Sequence, residues 1–265
     1  MYTVRLFGQF IKYRFFAKTE YPRSYAAGII AQWLYYGIRM FMLYLMVWNF
    51  GILAGWLPTQ VLFIFAIQLM SYAIGASFTF NICRKFAQTA IDGTLDEALI
   101  RPMPSLIYMM GANYNVDYIS HITLTGIVLA ISISQLDMAW TAFHWLWLVV
   151  MIISGAIIQA CMMLLCDMPA MRTRSRSPTG VFFWLGREFT QYPLSIYPRP
   201  IQFIFVTVLP FAFINFYPAQ ILLGKRDGIF ADVAVWLAPF VAAILICITA
   251  LVWRRVISGY ESAGT

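Results

Sequence analysis

The stretch from Pro58 to Phe80, PTQVLFIFAIQLMSYAIGASFTF, decides the fold class of this chain. It contains no Asp, Glu, Lys or Arg. A helix needs about 20 apolar residues to cross a hydrocarbon layer roughly 30 Å thick. This stretch is long enough to cross, and it predicts a transmembrane helix.

The whole chain has the composition of a protein that lies in a membrane. Of its 265 residues, 62% are hydrophobic and 11% are charged, and the mean hydropathy is +0.75. An ordinary soluble domain carries about 25% charged residues. We therefore expect an all-α, polytopic integral membrane protein with a single transmembrane domain over 1–265.

Five crossings can be placed by hydropathy alone. The third contains the polar residues Asp117 and His121 and begins as early as Leu106. The predicted spans are Ala26–Phe50, Pro58–Phe80, Leu106–Gln135, Trp145–Cys166 and Val233–Val252. Residues 1–23 alternate apolar and basic character and predict an amphipathic helix on the cytoplasmic face.

The region 179–224 leaves two interpretations open, because its prolines exclude one straight helix. In the first, the chain crosses by Tyr192, and 201–223 forms a re-entrant helical pair. In the second, 179–191 lies along the inner face and 201–217 crosses. Either arrangement gives six crossings.

The distribution of basic residues predicts the orientation. The net charge is +7, and the Lys and Arg residues concentrate in 1–23, in the loops after the second and fourth spans, and after the last span. Positively charged loops stay in the cytoplasm. We expect both termini to be cytoplasmic, in a bacterial inner membrane, and we expect no nucleic-acid partner.

The chain lacks the motifs of several enzyme classes. It has no GxxxxGK[ST] phosphate loop, since Gly224-Lys225 is followed by Arg226. Gly75-Ala-Ser77-Phe78 lacks the second glycine of a GxSG protease motif, so small residues that ease helix packing are the expected role. We expect no catalytic residue, no metal and no directly bound cofactor, and a separate protein would have to bind ATP and Mg²⁺.

Charged and polar groups within predicted spans are candidates for function, because an unpaired charge in the membrane costs about 3 kcal/mol or more. Asp117 and His121 are one helical turn apart and could form a proton relay or line a substrate path. A structural alternative pairs Arg39 with Asp117 or Arg187 with Glu188. The intramembrane polar candidates are Arg39, Asp117, His121, Arg187 and Glu188.

The loop 81–105 predicts a short amphipathic helix on the inner side. Ile91, Leu95, Ala98 and Leu99 share one face, and acidic residues lie off it. A net-acidic helix suits a groove on a protein better than anionic headgroups, although a helix resting at the interface without a partner remains possible. The candidate coupling residues are Ile91, Asp92, Gly93, Leu95, Asp96, Glu97, Leu99 and Arg101.

Several segments resemble the small six-span branch of the ABC-2 type permeases. Ile91–Pro102, IDGTLDEALIRP, is similar to the branch's I-x-x-G-x-L-x-x-x-L-x-R-P pattern. Tyr192–Pro198, YPLSIYP, and Leu209–Ala219, LPFAFINFYPA, look like two further signatures of the family. Trp253–Gly264 resembles its terminal W-x-x-G-L-x-x-Y-x-S-x-G, with Val256 in place of the usual glycine.

The resemblance implies a mechanism. Two permease chains, identical or paralogous, would pair, and two ATPase subunits would dock on the coupling helices and drive alternating access. It also favours the first interpretation of 179–224, with the re-entrant segment forming an outer gate in a type V exporter fold. The gate residues are Tyr192, Pro193, Tyr197, Pro198, Pro210 and Pro218.

The function expected from the resemblance is ATP-driven export of a small amphipathic, drug-like or lipid-like compound, that is, a multidrug efflux role. The alternative from another class is a proton-coupled secondary transporter that uses Asp117 and His121. That alternative predicts an inverted repeat, and none is visible in the sequence.

Overall fold

The computed structural model describes residues 2–136, 138–173, 184, 186 and 188–260. The chain is all-helical, and no strand occurs in this described part. The helices are α1 (Tyr2–Thr19), α2 (Pro22–Phe50), α3 (Pro58–Ile91), α4 (Thr94–Leu99), α5 (Ser105–Ala112), α6 (Tyr118–Ser134), α7 (Ala142–Asp167), α8 (Pro169–Thr173), α9 (Arg199–Thr207), α10 (Phe216–Leu223), α11 (Ala231–Ala234) and α12 (Ala238–Ser258).

Helix α3 is the centre of the bundle and packs against α6 and α7. Small residues permit the close crossing of α3 and α7. A Cβ on Gly75 would lie 2.5 Å from the carbonyl oxygen of Ala156, and one on Gly155 would lie 2.7 Å from the hydroxyl oxygen of Ser71. The packing role predicted for the Gly75 segment agrees with this geometry.

Helices α2 and α12 lie at the periphery and expose apolar side chains. Ile38 and Met42 of α2 are 57% and 61% exposed, and Phe240 of α12 is 65% exposed. Large exposed apolar surfaces mark contact with lipid or with another protein. Both helices are long and apolar enough to cross a membrane.

The predicted third crossing is not one continuous helix. The chain breaks at 113–117 between α5 and α6, and α6 has 17 residues. The break is stabilised by α3, because the Asn115 amide donates to the Ser77 carbonyl at 2.8 Å and the Asn81 side chain donates to the Asn113 carbonyl at 3.1 Å. Asn and Asp favour turns over helix interiors, so the break follows from the sequence Asn113–Asp117.

The predicted loop 81–105 is also shorter than expected. Helix α3 continues through Arg84 and Lys85 to Ile91. Helical structure therefore extends beyond the predicted end of the span at Phe80, because charged residues at a helix end can remain helical outside the hydrocarbon. The last span likewise begins at Ala238 and not at Val233, after the separate short helix α11.

The segment Arg199–Leu223 is bent by 72° between α9 and the part that begins at Pro210. Pro210 cannot donate a backbone hydrogen bond, which breaks the helix there. The geometry is that of a broken span or a re-entrant loop. The predicted intramembrane residue Arg187 lies outside the described residues, as do Arg174 and Arg176 of the basic loop after the fourth predicted span.

Four helices are long and apolar enough to cross a membrane, or five if the bent pair counts as one span. The described residues therefore give fewer candidate spans than the six crossings predicted. The difference arises at the third crossing, which is divided, and at 174–183, which the structure does not describe.

Candidate coupling and transport site

The turn between α3 and α4 positions the candidate coupling helix. Gly93 has a φ of +69°, a left-handed conformation that favours glycine. Asp92 ends α3, and its carboxylate accepts a hydrogen bond from Gln88 at 2.6 Å. The chain can thus reverse abruptly and begin the six-residue helix Thr94–Leu99.

The predicted apolar face of this helix is divided between the interior and the surface. Leu95 and Ala98 are 0% and 1% exposed and pack in the hydrophobic core. Leu99 and Ile100 are 41% and 81% exposed. Leu95 therefore holds the helix on the bundle, and the exposed apolar side chains within 91–100 are Ile91, Leu99 and Ile100.

An acidic residue of the helix is tied to its neighbours. The Glu97 carboxylate accepts hydrogen bonds from Arg101 at 2.7 Å and from the Tyr108 hydroxyl at 2.8 Å. These bonds lower the pKa of Glu97 below its ordinary value. The network fixes α4 relative to α5.

The other end of the bundle is closed around Trp56, which is fully buried. Its indole N–H lies 3.1 Å from the Ser195 hydroxyl and 3.0 Å from the Asp227 carboxylate. The Lys225 ammonium lies 4.4 Å from the indole centroid and donates to the Gly55 carbonyl at 2.5 Å. Burial lowers the pKa of Lys225. We call Gly55, Trp56, Ser195, Lys225 and Asp227 the Trp56 network.

The predicted gate prolines shape the segments that meet this network. Pro193 precedes the 3₁₀ turn Leu194–Ile196, and Pro198 precedes α9. Pro210 begins a buried 3₁₀ turn, and the carbonyl of Pro218 accepts a hydrogen bond from Trp147 at 2.9 Å.

The two tyrosines predicted for the outer gate, Tyr192 and Tyr197, lie beside the 3₁₀ turn Leu194–Ile196. The Tyr197 hydroxyl donates to the Phe189 carbonyl at 3.0 Å, and Tyr192 reaches Met46 of α2.

The intramembrane charges Arg39 and Asp117 each pair with another residue, and the alternative Arg187–Glu188 pair involves a residue outside those that the structure describes. Arg39 forms an ion pair with Glu188 at 2.6 Å and also donates to Gln191 at 3.2 Å. Asp117 pairs with Lys18 of α1 at 2.9 Å. The hypothesised Arg39–Asp117 pair is therefore wrong, because α1 and the segment around residue 188 supply nearer partners.

The second residue of the hypothesised proton relay has a different environment. His121 is buried, with its ring 4.4 Å from that of Tyr36 and 4.9 Å from that of Tyr118. Asp117 faces Lys18 at the start of α6. The two relay candidates thus belong to separate surroundings, one aromatic and one ionic.

The arrangements also contain residues that were not predicted as site residues, among them Lys18, Trp56, Lys225 and Asp227. The contact between Trp56 and Lys225 joins positions 169 apart in sequence. A charged residue beside a Trp in short loops is a weak signal. Only the tertiary structure shows that the Lys225 ammonium and the Trp56 ring are in contact.

Possible metal ligands do not cluster in the part of the chain that the structure describes. There, no group of three His, Cys, Asp or Glu residues lies close enough to hold a metal ion. The cysteines at 83, 161, 166 and 247 form no disulfide.

The comparisons with known proteins agree with the helical architecture. The family model described as "ABC-2 family transporter protein" matches residues 33–264. No curated protein and no solved structure has a significant match to the chain. The matched region includes the α3–α4 turn, the Trp56 network and the last span, and the chain therefore belongs to the ABC-2 family of transporter proteins.

Proposed function

We propose that this chain is the membrane subunit of an ATP-driven exporter and that α4 transmits the motion of a separate ATPase. The chain has the helices of a permease component and belongs to a transporter family. It contains no phosphate loop of its own. Energy from ATP must then enter through a contact between proteins.

The observation that carries this proposal is the exposed surface at the α3–α4 turn. Ile91 at the end of α3, Leu99 at the end of α4 and the following Ile100 are 44%, 41% and 81% exposed. The other apolar residues of α4 are buried. The carboxylate of Glu97 is half-exposed beside them. An apolar patch with a polar rim is the usual composition of a protein interface.

The rest of the assembly follows from the family resemblance. Two ATPase subunits would bind two permease chains, identical or paralogous, with both termini of this chain in the cytoplasm of a bacterial cell. The bent segment Arg199–Leu223 would be re-entrant and would form an outer gate with Tyr192–Pro198. Closure of the ATPases would push on α4 and switch the transport path between inward-facing and outward-facing states.

The cargo proposed is a small amphipathic compound of the drug-like or lipid-like kind. Aromatic side chains surround the buried polar groups of the bundle, where Tyr72 and Tyr118 are joined by a hydrogen bond of 3.0 Å between their hydroxyls. Aromatic surfaces with polar tips suit amphipathic molecules.

The coupling contact can be tested with substitutions that separate docking from folding. Ile100→Asp and Leu99→Asp place charges on the exposed patch and should weaken ATPase binding at least about tenfold, since a lost interface anchor costs about 2 kcal/mol. The measurement is the affinity of the purified permease for its co-purified phosphate-loop ATPase in mild detergent. Ile100→Leu and Leu99→Met should bind as the wild type does.

Leu95 provides the contrast. Leu95→Ala removes a fully buried side chain and should lower stability by about 2 to 5 kcal/mol, seen as a lower melting temperature of the permease alone. Leu99→Ala should leave that temperature nearly unchanged. If Leu99→Asp and Ile100→Asp proteins keep full affinity for the ATPase, α4 is not the coupling element.

The proton-coupled alternative is not favoured. The family match is to an ABC transporter family, and Asp117 is engaged by Lys18. Transport in vesicles that stops without ATP and continues after collapse of the proton gradient would support the exporter. The reverse result would support the alternative.

A further inference from the structure

A polar cleft lies between α1, the start of α2 and the start of α6. It is open to the surroundings, has a volume of about 390 Å³, and is lined by Lys18, Tyr21, Tyr25, Gln32 and Asp117 among others. Its size is within the range of about 300 to 1,000 Å³ that is common for small-molecule sites. The exporter mechanism proposed above does not use it.

One cation and one anion face each other in this cleft. The Lys18 ammonium lies 2.9 Å and 3.1 Å from the two carboxylate oxygens of Asp117. The side chains are 45% and 35% exposed. Accessible pairs of this kind contribute little to stability, typically about 0 to 1 kcal/mol. A ligand that carries both charges can therefore replace the direct contact with two contacts of its own.

The walls of the cleft do not depend on this ion pair. Phe7 and Phe10 of α1 pack on Gly111 of α5, where an added Cβ would lie 3.0 Å and 3.1 Å from their rings. The Phe10 ring meets that of Tyr108 edge to face at 5.5 Å. Arg14 donates to the Ala112 carbonyl. Helix α1 is thus anchored over an extended contact.

An exposed apolar surface continues from the cleft along α2. Gly28, Tyr35 and Met42 follow one another at intervals of seven residues and so lie along one side of α2. Tyr35 and Met42 are 58% and 61% exposed. At 1.5 Å per residue, Met42 lies about 21 Å beyond the cleft residue Gly28. This distance exceeds half of a hydrocarbon layer roughly 30 Å thick.

We infer that this cleft binds the headgroup of a phospholipid that carries both a phosphate and a primary ammonium, with an acyl chain along the Tyr35 and Met42 side of α2. Lys18 binds the phosphate, and Asp117 accepts hydrogen bonds from the ammonium. A trimethylated headgroup has no N–H to donate. A headgroup with a net negative charge and no ammonium meets repulsion from Asp117. The cleft therefore selects the ethanolamine type of headgroup.

The test uses the full-length chain reconstituted in nanodiscs of phosphatidylcholine that contain equal small fractions of phosphatidylethanolamine and phosphatidylglycerol with identical chains. Native mass spectrometry after release from the nanodiscs counts the lipids that stay bound. The wild-type protein should retain phosphatidylethanolamine about tenfold over either competitor, relative to their abundance, which corresponds to about 1.4 kcal/mol.

Two variants separate the roles of the charges. Lys18→Met should reduce retention of phosphatidylethanolamine about tenfold, while Lys12→Met, which removes an exposed lysine elsewhere on α1, should retain it as the wild type does. Asp117→Asn should lower phosphatidylethanolamine and raise phosphatidylglycerol, because the repulsion of the anionic headgroup is lost. A purely structural ion pair would not exchange one lipid for another.

Soluble phosphoethanolamine distinguishes a lipid from a free zwitterion. At millimolar concentration it should not displace the bound lipid, because it lacks the chains that contact α2. Displacement would assign the cleft to a soluble ligand and overturn the lipid assignment. Equal retention of the three lipids by the wild-type protein, or unchanged retention in Lys18→Met and Asp117→Asn, would overturn the proposal altogether.

Discussion

At the scale of single residues, side chains that are close in sequence at the α3–α4 turn differ in burial and in role. Leu95 and Leu99 belong to the same apolar pattern, yet one is fully buried and the other is 41% exposed. The left-handed backbone of Gly93 permits the chain reversal between α3 and α4, which sets the position of both leucines. Glu97 adds a charged connection to α5 through Arg101 and Tyr108.

The Glu97 network predicts a dependence on pH. Because its hydrogen bonds from Arg101 and Tyr108 lower the pKa of Glu97 below the ordinary 4.5, the ordering that they give is fully present above that value. It is lost as the pH falls through the lowered pKa. Hydrogen exchange of the amides in 94–108, corrected for intrinsic rates, should therefore show less protection below the lowered pKa of Glu97 than at neutral pH.

Glu97→Gln should abolish this change with pH, since the group no longer titrates. Glu20→Gln removes an exposed carboxylate that takes no part in the network and should keep the change. Protection in 94–108 that is the same in wild type and Glu97→Gln across the acid range would contradict the role given to Glu97.

At the scale of elements, glycine permits a close contact between α3 and α7. The Cβ position of Gly75 meets a backbone carbonyl at 2.5 Å, and backbone cannot move aside as a side chain can. Gly126 on α6 has only the Met70 methyl within 4 Å, at 3.7 Å. Two glycines in neighbouring helices therefore tolerate a methyl group very differently.

Gly75→Ala should destabilise the permease by about 1 to 3 kcal/mol, because overpacking forces the helices apart. Gly126→Ala should be neutral or stabilising by up to about 1 kcal/mol, since alanine is the better helix former. Melting temperatures in one detergent provide the comparison. If the two variants melt together, the crossing of α3 and α7 is looser than the structure gives.

At the scale of the whole molecule, the two ends of the bundle are closed by different means. Helices α1, α4 and α5 gather at one end through aromatic packing and the Glu97 network. The Trp56 network joins the turn before α3 to the loop after α10 at the other end. The proposed orientation places the first end in the cytoplasm and the second outside.

That orientation can be tested by thiol labelling. In a variant with Ala at 83, 161, 166 and 247, Ile100→Cys should react with a membrane-impermeant maleimide only after the cells are opened. Arg226→Cys should react in intact cells, because the loop after α10 would lie outside. The positive-inside pattern supports this assignment, and reaction of Ile100→Cys in intact cells would reverse it.

The sequence alone determined the membrane class, the helical fold and the family, because each depends on local composition or on short contiguous motifs. Pro58–Phe80 predicts a crossing whatever surrounds it, and Ile91–Pro102 carries its motif in twelve adjacent residues. Helix α3 and most of α7 were placed for the same reason. The end of α3 was not, since hydropathy reports the limit of the hydrocarbon and not the limit of the helix.

The tertiary structure alone decided which charges meet and which apolar residues remain exposed. Arg39 and Glu188 are 149 positions apart, and Lys18 and Asp117 are 99 apart, so neither pair leaves a periodic signal in the sequence. Helical periodicity assigns Leu95 and Leu99 to one face, but only the packing of α4 against α3 and α5 buries the first and exposes the second. Contacts between distant segments depend on how helices pack, and local sequence patterns do not specify that packing.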